Sequence, residues 1–337
     1  MPKPHSNQQE DRNIDSTLRP TAWDEYIGQE KIKHGLRVIL DAAKKRKEAA
    51  DHLLFSGPAG LGKTTLAYLV ARDLGGIIRT TSGPAIEKTG DLAAILTNLT
   101  PNEILFIDEA HRINPMIEEV LYPAMEARKL HLVVGKGPSA RTLSLDLPPF
   151  TLIAATTREN LLSQPLRSRF GATMRLGYYE PADIKKILER SAAILGIAAD
   201  LDAVEILARA SRGTPRVANR LLKRARDFAE VHGGGGPDGT AIDRTAALAT
   251  LEMLEIDEAG LEPSDRRLLT TIIEKFNGGP VGINTLSAAL AEDRGVIEDI
   301  YEPYLMTLGF LQRSSAGRVV LPAAYRHLKI KDRGELL

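Results

Sequence analysis

Residues 57 to 64 of this 337-residue chain read Gly57-Pro58-Ala59-Gly60-Leu61-Gly62-Lys63-Thr64, a G-x-x-x-x-G-K-[ST] spacing that suits a loop cradling phosphates. The glycines let the backbone come close to phosphate oxygens, and amide N–H groups at the start of a following helix point at them. The Lys63 ammonium can then reach β and γ phosphates, and the Thr64 hydroxyl can serve a Mg²⁺ ion. Leu53-Leu54-Phe55-Ser56 before the loop reads as a short apolar strand. Thr64 to Val70 after it reads as a helix stopped by Gly75-Gly76,. Strand, glycine turn and helix form the context that separates a nucleotide-binding loop from an ordinary Gly-rich turn.

A second chemical group lies at Asp108-Glu109, directly after the apolar run Ile104 to Ile107. Carboxylates at the C-terminal end of a buried strand stand where ligands bind in open α/β sheets. Asp108 suits a Mg²⁺ ligand, and Glu109 suits the polarisation of an attacking water. Thr156-Thr157-Arg158 ends a later strand, and Pro165-Leu166-Arg167-Ser168-Arg169-Phe170 follows. A strand-end hydroxyl can sense a γ-phosphate, and an arginine can stabilise transition-state charge. The run Asp108-Glu109-Ala110-His111 also spells the signature of DEAH-box helicases, but those carry two motor domains and this chain has room for one. His111 is accordingly given no catalytic role.

The elements that must position these groups follow from periodicity. Ile32, Leu36, Ile39 and Leu40 mark an amphipathic helix before the P-loop strand. Further strands are expected at Ile77 to Thr80, Ile104 to Ile107, Leu152 to Thr156 and Thr173 to Leu176,. Near-continuous apolar strands alternating with helices imply a parallel sheet covered on both faces. One insertion breaks the alternation. Leu130, Leu132 and Val134 share one face of a strand, residues 135 to 139 turn, and Leu143, Leu145 and Leu147 alternate with polar residues. This is a β-hairpin with one apolar face, which either packs on the core or meets a partner.

After Pro181 the pattern becomes helical. One helix is expected to start with Thr214 as N-cap and Pro215 at its first position, and Gly233 to Gly236 read as a flexible loop. Helices at Ser264 to Phe276, Thr285 to Ala291 and Val296 to Leu308 then lead to strands at Phe310 to Arg313 and Arg318 to Leu321, the order of a winged helix,. With 44 basic and 44 acidic residues the net charge is zero, so any nucleic-acid contact must come from a local patch,. From Arg313 to the end there are six Arg or Lys against Asp332 and Glu335. The absence of cysteine removes disulfides, thiolate zinc sites and cysteine nucleophiles,. The polar start has no signal-peptide core and no run is long enough to span a bilayer, so a cytosolic location is expected.

The order P-loop, Ile-Asp-Glu, hairpin, Ala-Thr-Thr-Arg, Leu-Arg-Ser-Arg-Phe and Arg-Gly-Thr-Pro-Arg resembles an AAA+ ATPase. More narrowly, the chain resembles the RuvB family of bacterial Holliday-junction branch-migration motors. The narrower likeness is carried by Leu18-Arg19-Pro20, Tyr26-Ile27-Gly28-Gln29, Thr81-Ser82-Gly83-Pro84, Leu121-Tyr122-Pro123-Ala124-Met125-Glu126, the hairpin turn from Gly135 to Arg141, and Glu298-Asp299-Ile300-Tyr301-Glu302-Pro303-Tyr304. It spans about residues 18 to 330. It departs from the family at Ala59, where a second proline is usual, and at the tetraglycine run.

The resemblance implies an α/β fold: an AAA+ P-loop domain with a parallel sheet at 17–181, a helical lid at 182–256 and a winged helix at 257–337; ahead of it the polar residues 1–16, which carry no apolar period, are expected to be a disordered leader,. It places Leu18, Arg19, Tyr26, Ile27 and Tyr179 beside the nucleotide. Gly57, Gly60, Gly62, Lys63, Thr64 and Thr65 form the phosphate cradle, and Thr157 takes the sensor-1 position. Arg216 takes sensor 2, and Arg169, with Arg167 as the near alternative, is the finger acting on a neighbouring subunit's nucleotide. A finger supplied in trans implies a ring, the family's hexamer. The resemblance also implies ATP and Mg²⁺, a RuvA-like junction-binding partner on hairpin 130–147, and duplex DNA at four-way junctions met by Arg294, Arg313 and Arg318. The competing class is an AAA+ clamp-loader-type switch, which would carry a helical collar where this chain is expected to carry a winged helix.

Overall fold

The computed structural model describes residues 16–134, 141–236 and 239–331. The expected leader apart from Ser16, the turn of the hairpin and the end of the basic tail lie outside them. The chain divides into two compact units, one ending at Tyr179 and the other beginning at Glu180.

In the first unit, β1 (Leu53–Ser56), β2 (Ile78–Ser82), β3 (Glu103–Asp108), β6 (Phe150–Thr156) and β7 (Ala172–Arg175) form one parallel sheet in the order β2-β3-β6-β1-β7. The central strands are buried along their whole length except at Asp108, as a sheet covered on both faces requires. The edge strand β2 is half-exposed. It starts and ends one to two residues later than the sequence suggests, and Ile77 stays outside it in solvent. Helix α1 (Glu30–Arg46) buries Leu36, Leu40 and Ala43, the face that its periodicity marks. Because every strand runs the same way, with Ser56 opposite Thr156 and Ser82 opposite Asp108, all three chemical segments leave from one edge.

The hairpin β4 (Lys129–Val134) and β5 (Arg141–Asp146) pairs Leu130 with Leu145 and Leu132 with Leu143. Leu130 is fully buried and Leu132 and Leu145 pack on the core, whereas Leu143 is 47% exposed. The two readings of the apolar face therefore divide along the hairpin: its base belongs to the core and its outer part faces water.

The second unit begins with four helices, Pro181–Leu195, Leu201–Ala210, Pro215–His232 and Arg244–Met253. Thr214 does precede the third, but its hydroxyl donates to the Ser211 carbonyl (3.1 Å) rather than capping the helix. The tetraglycine run is not simply a flexible loop. Gly235 exchanges two backbone hydrogen bonds with Ala241 (2.8 and 3.0 Å), and Gly234 donates to Gly239. Helix Pro263–Phe276 buries Leu268, Leu269 and Ile272 and opens on a capping box of Glu262 and Asp265,. Helix Ile283–Leu290 follows. The expected single helix from Val296 to Leu308 is instead Arg294–Val296, a π-helical turn Ile297–Tyr301 and Glu302–Thr307. Strands β8 (Leu311–Ser314) and β9 (Gly317–Val320) pair antiparallel, and Pro322–Leu328 adds a closing helix that the sequence reading does not contain. Arg212 ties the first part of this unit to the second: it pairs both carboxylate oxygens of the fully buried Asp265 (2.8 and 3.3 Å) and lies over the Tyr304 ring, 4.7 Å from its centroid.

Candidate active site

The P-loop leaves the end of β1 and feeds helix Lys63–Asp73, whose first N–H groups no side chain caps. The start of such a helix suits an anionic ligand. Gly57 and Gly62 sit at φ 143° and 95°, and a Cβ at either would lie 2.4 Å from the Leu176 carbonyl or 2.8 Å from the Tyr26 hydroxyl. Only glycine fits both the backbone and the space. The Lys63 ammonium donates to the carbonyls of Gly57 (2.7 Å) and Pro58 (2.8 Å), so its charge is held on the loop itself. Thr64 and Thr65 stand half-exposed in the first turn.

The segments expected beside the nucleotide attach to the same loop. Tyr26 and Tyr179 are both buried; the Tyr179 hydroxyl donates to that of Tyr26 (3.1 Å), and Tyr26 reaches the Leu61 carbonyl (3.4 Å). Burial, with the neighbouring Tyr179, pushes the Tyr26 phenol well above its usual range, so it remains a neutral donor. Leu18 is buried, Ile27 is half-buried, and Arg19 lies over the Tyr68 ring at 4.4 Å.

Asp108 ends β3 and accepts the Glu109 N–H on one carboxylate oxygen (2.9 Å). Glu109 takes a left-handed conformation (φ 47°) and pairs with Arg112 at 3.2 Å. At the end of β6 the two threonines separate: Thr157 is exposed, while Thr156 is fully buried and 3.0 Å from His111 Nδ1. Among the described residues no group of three His, Cys, Asp or Glu gathers as a metal cage. A Mg²⁺ ion held by one hydroxyl, one carboxylate and substrate phosphates needs none.

Arg169 is not an extended arm here. It lies over the Tyr122 ring at 4.4 Å, pairs with Glu126 (3.1 Å) and donates to the Pro165 carbonyl (2.6 Å). Arg167 is exposed. Tyr122 and Glu126 fall inside a phrase that signals the family likeness, but nothing in their spacing marks them as a cradle for an arginine 43 to 47 positions on. Arg216 is exposed in the first turn of Pro215–His232.

The wing is not the plain basic surface that the residue count suggests. Arg294 and Arg313 are exposed, but Arg318 is buried; its Nε donates to Glu302 (2.7 Å) and its Nη2 to Glu298 (2.9 Å). Burial alone would lower the Arg318 guanidinium, but the two carboxylates outweigh it and raise it above its usual range. Arg313 also donates to Glu302, whose side chain is 1% exposed. Two arginines thus share two carboxylates across β8, β9 and the helical path before them.

A parallel sheet that gathers a P-loop, an acidic strand end and a threonine-rich strand end at one edge, followed by a helical unit, defines a P-loop ATPase of the AAA+ class. Three family models match in succession: the Holliday junction DNA helicase RuvB P-loop domain at residues 18–176, the RuvB AAA lid domain at 179–257 and the RuvB C-terminal winged helix domain at 258–329. The chain is 46% identical to the Thermotoga maritima RuvB Holliday junction branch migration motor, with a TM-score of 0.85 over 94% of this chain and 99% of that one. Two mutant forms of that protein match at 46% and 45% identity, with TM-scores of 0.85 and 0.84, covering 93% and 94% of this chain and 99% of theirs. The chain belongs to the RuvB family. Its C-terminal winged helix stands where a clamp loader would have a helical collar, and none of these comparisons supports the clamp-loader reading.

Proposed function

We propose that this chain is an ATP-driven motor that translocates duplex DNA and so moves Holliday junctions during recombination and repair. The observation that carries the proposal is the convergence at one sheet edge of Lys63, Thr64, Asp108, Glu109 and Thr157, on a chain matched by RuvB models from residue 18 to 329. The glycines and the helix start take the phosphates, with Lys63 exchanging its two carbonyl partners for phosphate oxygens. Thr64 and Asp108 hold Mg²⁺, which supplies neutralising charge at the phosphates. Glu109 polarises the attacking water and Thr157 senses the terminal phosphate.

Leu18, Arg19, Tyr26, Ile27 and Tyr179 serve the base side of the nucleotide, and Arg216 takes the sensor-2 role. Arg169 acts on a neighbouring subunit's nucleotide, which makes a ring, the family's hexamer, the working form. Its hold on Tyr122 and Glu126 is then the resting position from which it is recruited. The exposed outer part of hairpin 130–147 meets a RuvA-like partner through an apolar contact. Arg294 and Arg313 contact phosphates without reading sequence, and Arg318 orders the wing beneath them.

The test is steady-state ATP turnover with no DNA, linear duplex or a synthetic four-way junction, each with and without the junction-binding partner, alongside junction movement. DNA-stimulated turnover, with movement that requires ATP and the partner, is the expected result. Turnover indifferent to DNA would instead mark a protein-remodelling ATPase.

A further inference from the structure

The run Asp108 to His111 contains one residue that the proposed mechanism does not use. His111 is tied at 3.0 Å to the buried hydroxyl of Thr156, and that hydroxyl already accepts the Arg158 N–H (3.0 Å). In the tautomer with Nδ1 unprotonated, the hydroxyl donates its own proton to His111. The Thr156 carbonyl in turn accepts the N–H of Gly57, the first P-loop glycine (3.2 Å). One threonine thus joins the P-loop, the sensor strand and the turn after the acidic pair.

That turn has little freedom on its other side. A Cβ on Gly83, which follows β2, would sit 2.4 Å from the Glu109 carbonyl and 3.2 Å from the Ile113 nitrogen, so β2 ends flush against this backbone. Ala110 and Ile113 are anchored in the core. Between these fixed points Glu109 holds a left-handed φ of 47°. A non-glycine residue keeps that conformation only where its surroundings dictate it.

We infer that His111 and Thr156 are positioning residues for ATP hydrolysis: their hydrogen bond fixes the turn carrying the Glu109 carboxylate to the strand end carrying the Thr157 hydroxyl. The inference rests on the roles proposed above for Glu109 and Thr157. It deepens that reading by making the two groups one geometric unit. A hydrogen bond whose loss costs about 1.4 kcal/mol of positioning corresponds to about a tenfold change in rate.

The experiment compares full-length variants by turnover at saturating ATP, affinity for a fluorescent non-hydrolysable ATP analogue, and thermal midpoint. His111→Ala and Thr156→Val should each lower kcat about tenfold while leaving analogue affinity within about twofold. Thr156→Ser, which keeps the hydroxyl, and His111→Asn, whose Oδ1 can stand near the place of Nδ1, should recover most of the rate. The double variant should be no slower than the slower single, because both remove the same bond.

Full kcat in His111→Ala would overturn the inference. So would strictly additive losses, conservative variants as slow as His111→Ala, or rate, affinity and thermal midpoint falling together. If Thr156→Val fails to fold, His111→Ala and the two conservative variants decide alone. Glu109→Gln is run beside them. If it still turns over ATP, the reading of Glu109 fails; if it is dead while His111→Ala is unimpaired, only the His111–Thr156 inference fails.

Discussion

The P-loop edge and the wing both present arginine or lysine to phosphate in the proposed function, yet they hold their charges in different ways. Lys63 rests on two backbone carbonyls, and Glu109 rests on the exposed Arg112. In the wing, Arg318 and Arg313 converge on Glu302, a carboxylate buried almost completely. The nucleotide site therefore keeps its reacting groups on partners that are cheap to leave. The wing builds two of its arginines into the fold. A substitution at the sheet edge should cost chemistry and spare stability, and one in the wing cluster should do the reverse.

The largest effect belongs to Arg169. Arg169→Ala should keep nucleotide affinity but lower turnover of assembled rings by roughly 10³-fold or more, with partial recovery when wild-type subunits are mixed in. Activity in that variant would move the finger to Arg167. Glu109→Gln comes next: turnover should fall by about 10²–10⁴-fold with analogue binding and thermal midpoint retained. Unchanged turnover removes Glu109 from the mechanism.

Glu302→Ala tests the other half of the contrast. It leaves the buried Arg318 guanidinium with Glu298 as its remaining carboxylate, which should destabilise the second unit by about 1.5–3 kcal/mol in denaturant titrations, while ATP affinity of the first unit persists. Stability equal to wild type would mean that the cluster is a surface convenience.

A smaller effect concerns pH. His52 accepts the Leu152 N–H at Nδ1 (2.9 Å) and contacts the Met125 carbonyl through Nε2 (3.2 Å), and burial holds its ring below the usual histidine range. The unfolded chain then binds the proton more readily than the folded one. This contribution to stability is complete above about pH 6.5 and falls as pH drops through that value toward the folded pKa, by at most about 1.4 kcal/mol per pH unit. Denaturant titrations from pH 8 to pH 5 should show that slope in wild type, and His52→Gln should flatten it.

These contrasts also explain what could be read from the sequence. The P-loop, Asp108-Glu109 and Thr156-Thr157 are legible because a strand end followed by a turn places neighbouring residues at the sheet edge whatever the rest of the chain does. The three central strands are legible because a sheet covered on both faces writes them as apolar runs, while the half-exposed edge strand β2 shifts from its expected bounds,. Tyr122 and Glu126 under Arg169, and Glu302 under Arg318, are not legible. Each pairs residues from separate elements, and their partners are fixed only by packing. His111 shows the same limit in miniature, since its spacing suggests a helicase signature while its role depends on a threonine 45 positions away.

Arg212 leaves a mechanical consequence. Its bidentate grip on buried Asp265, with the guanidinium over the Tyr304 ring, joins the four-helix part to the winged helix inside one compact unit. A load on the wing is therefore carried into the helices ahead of it through a side-chain rivet as well as along the chain.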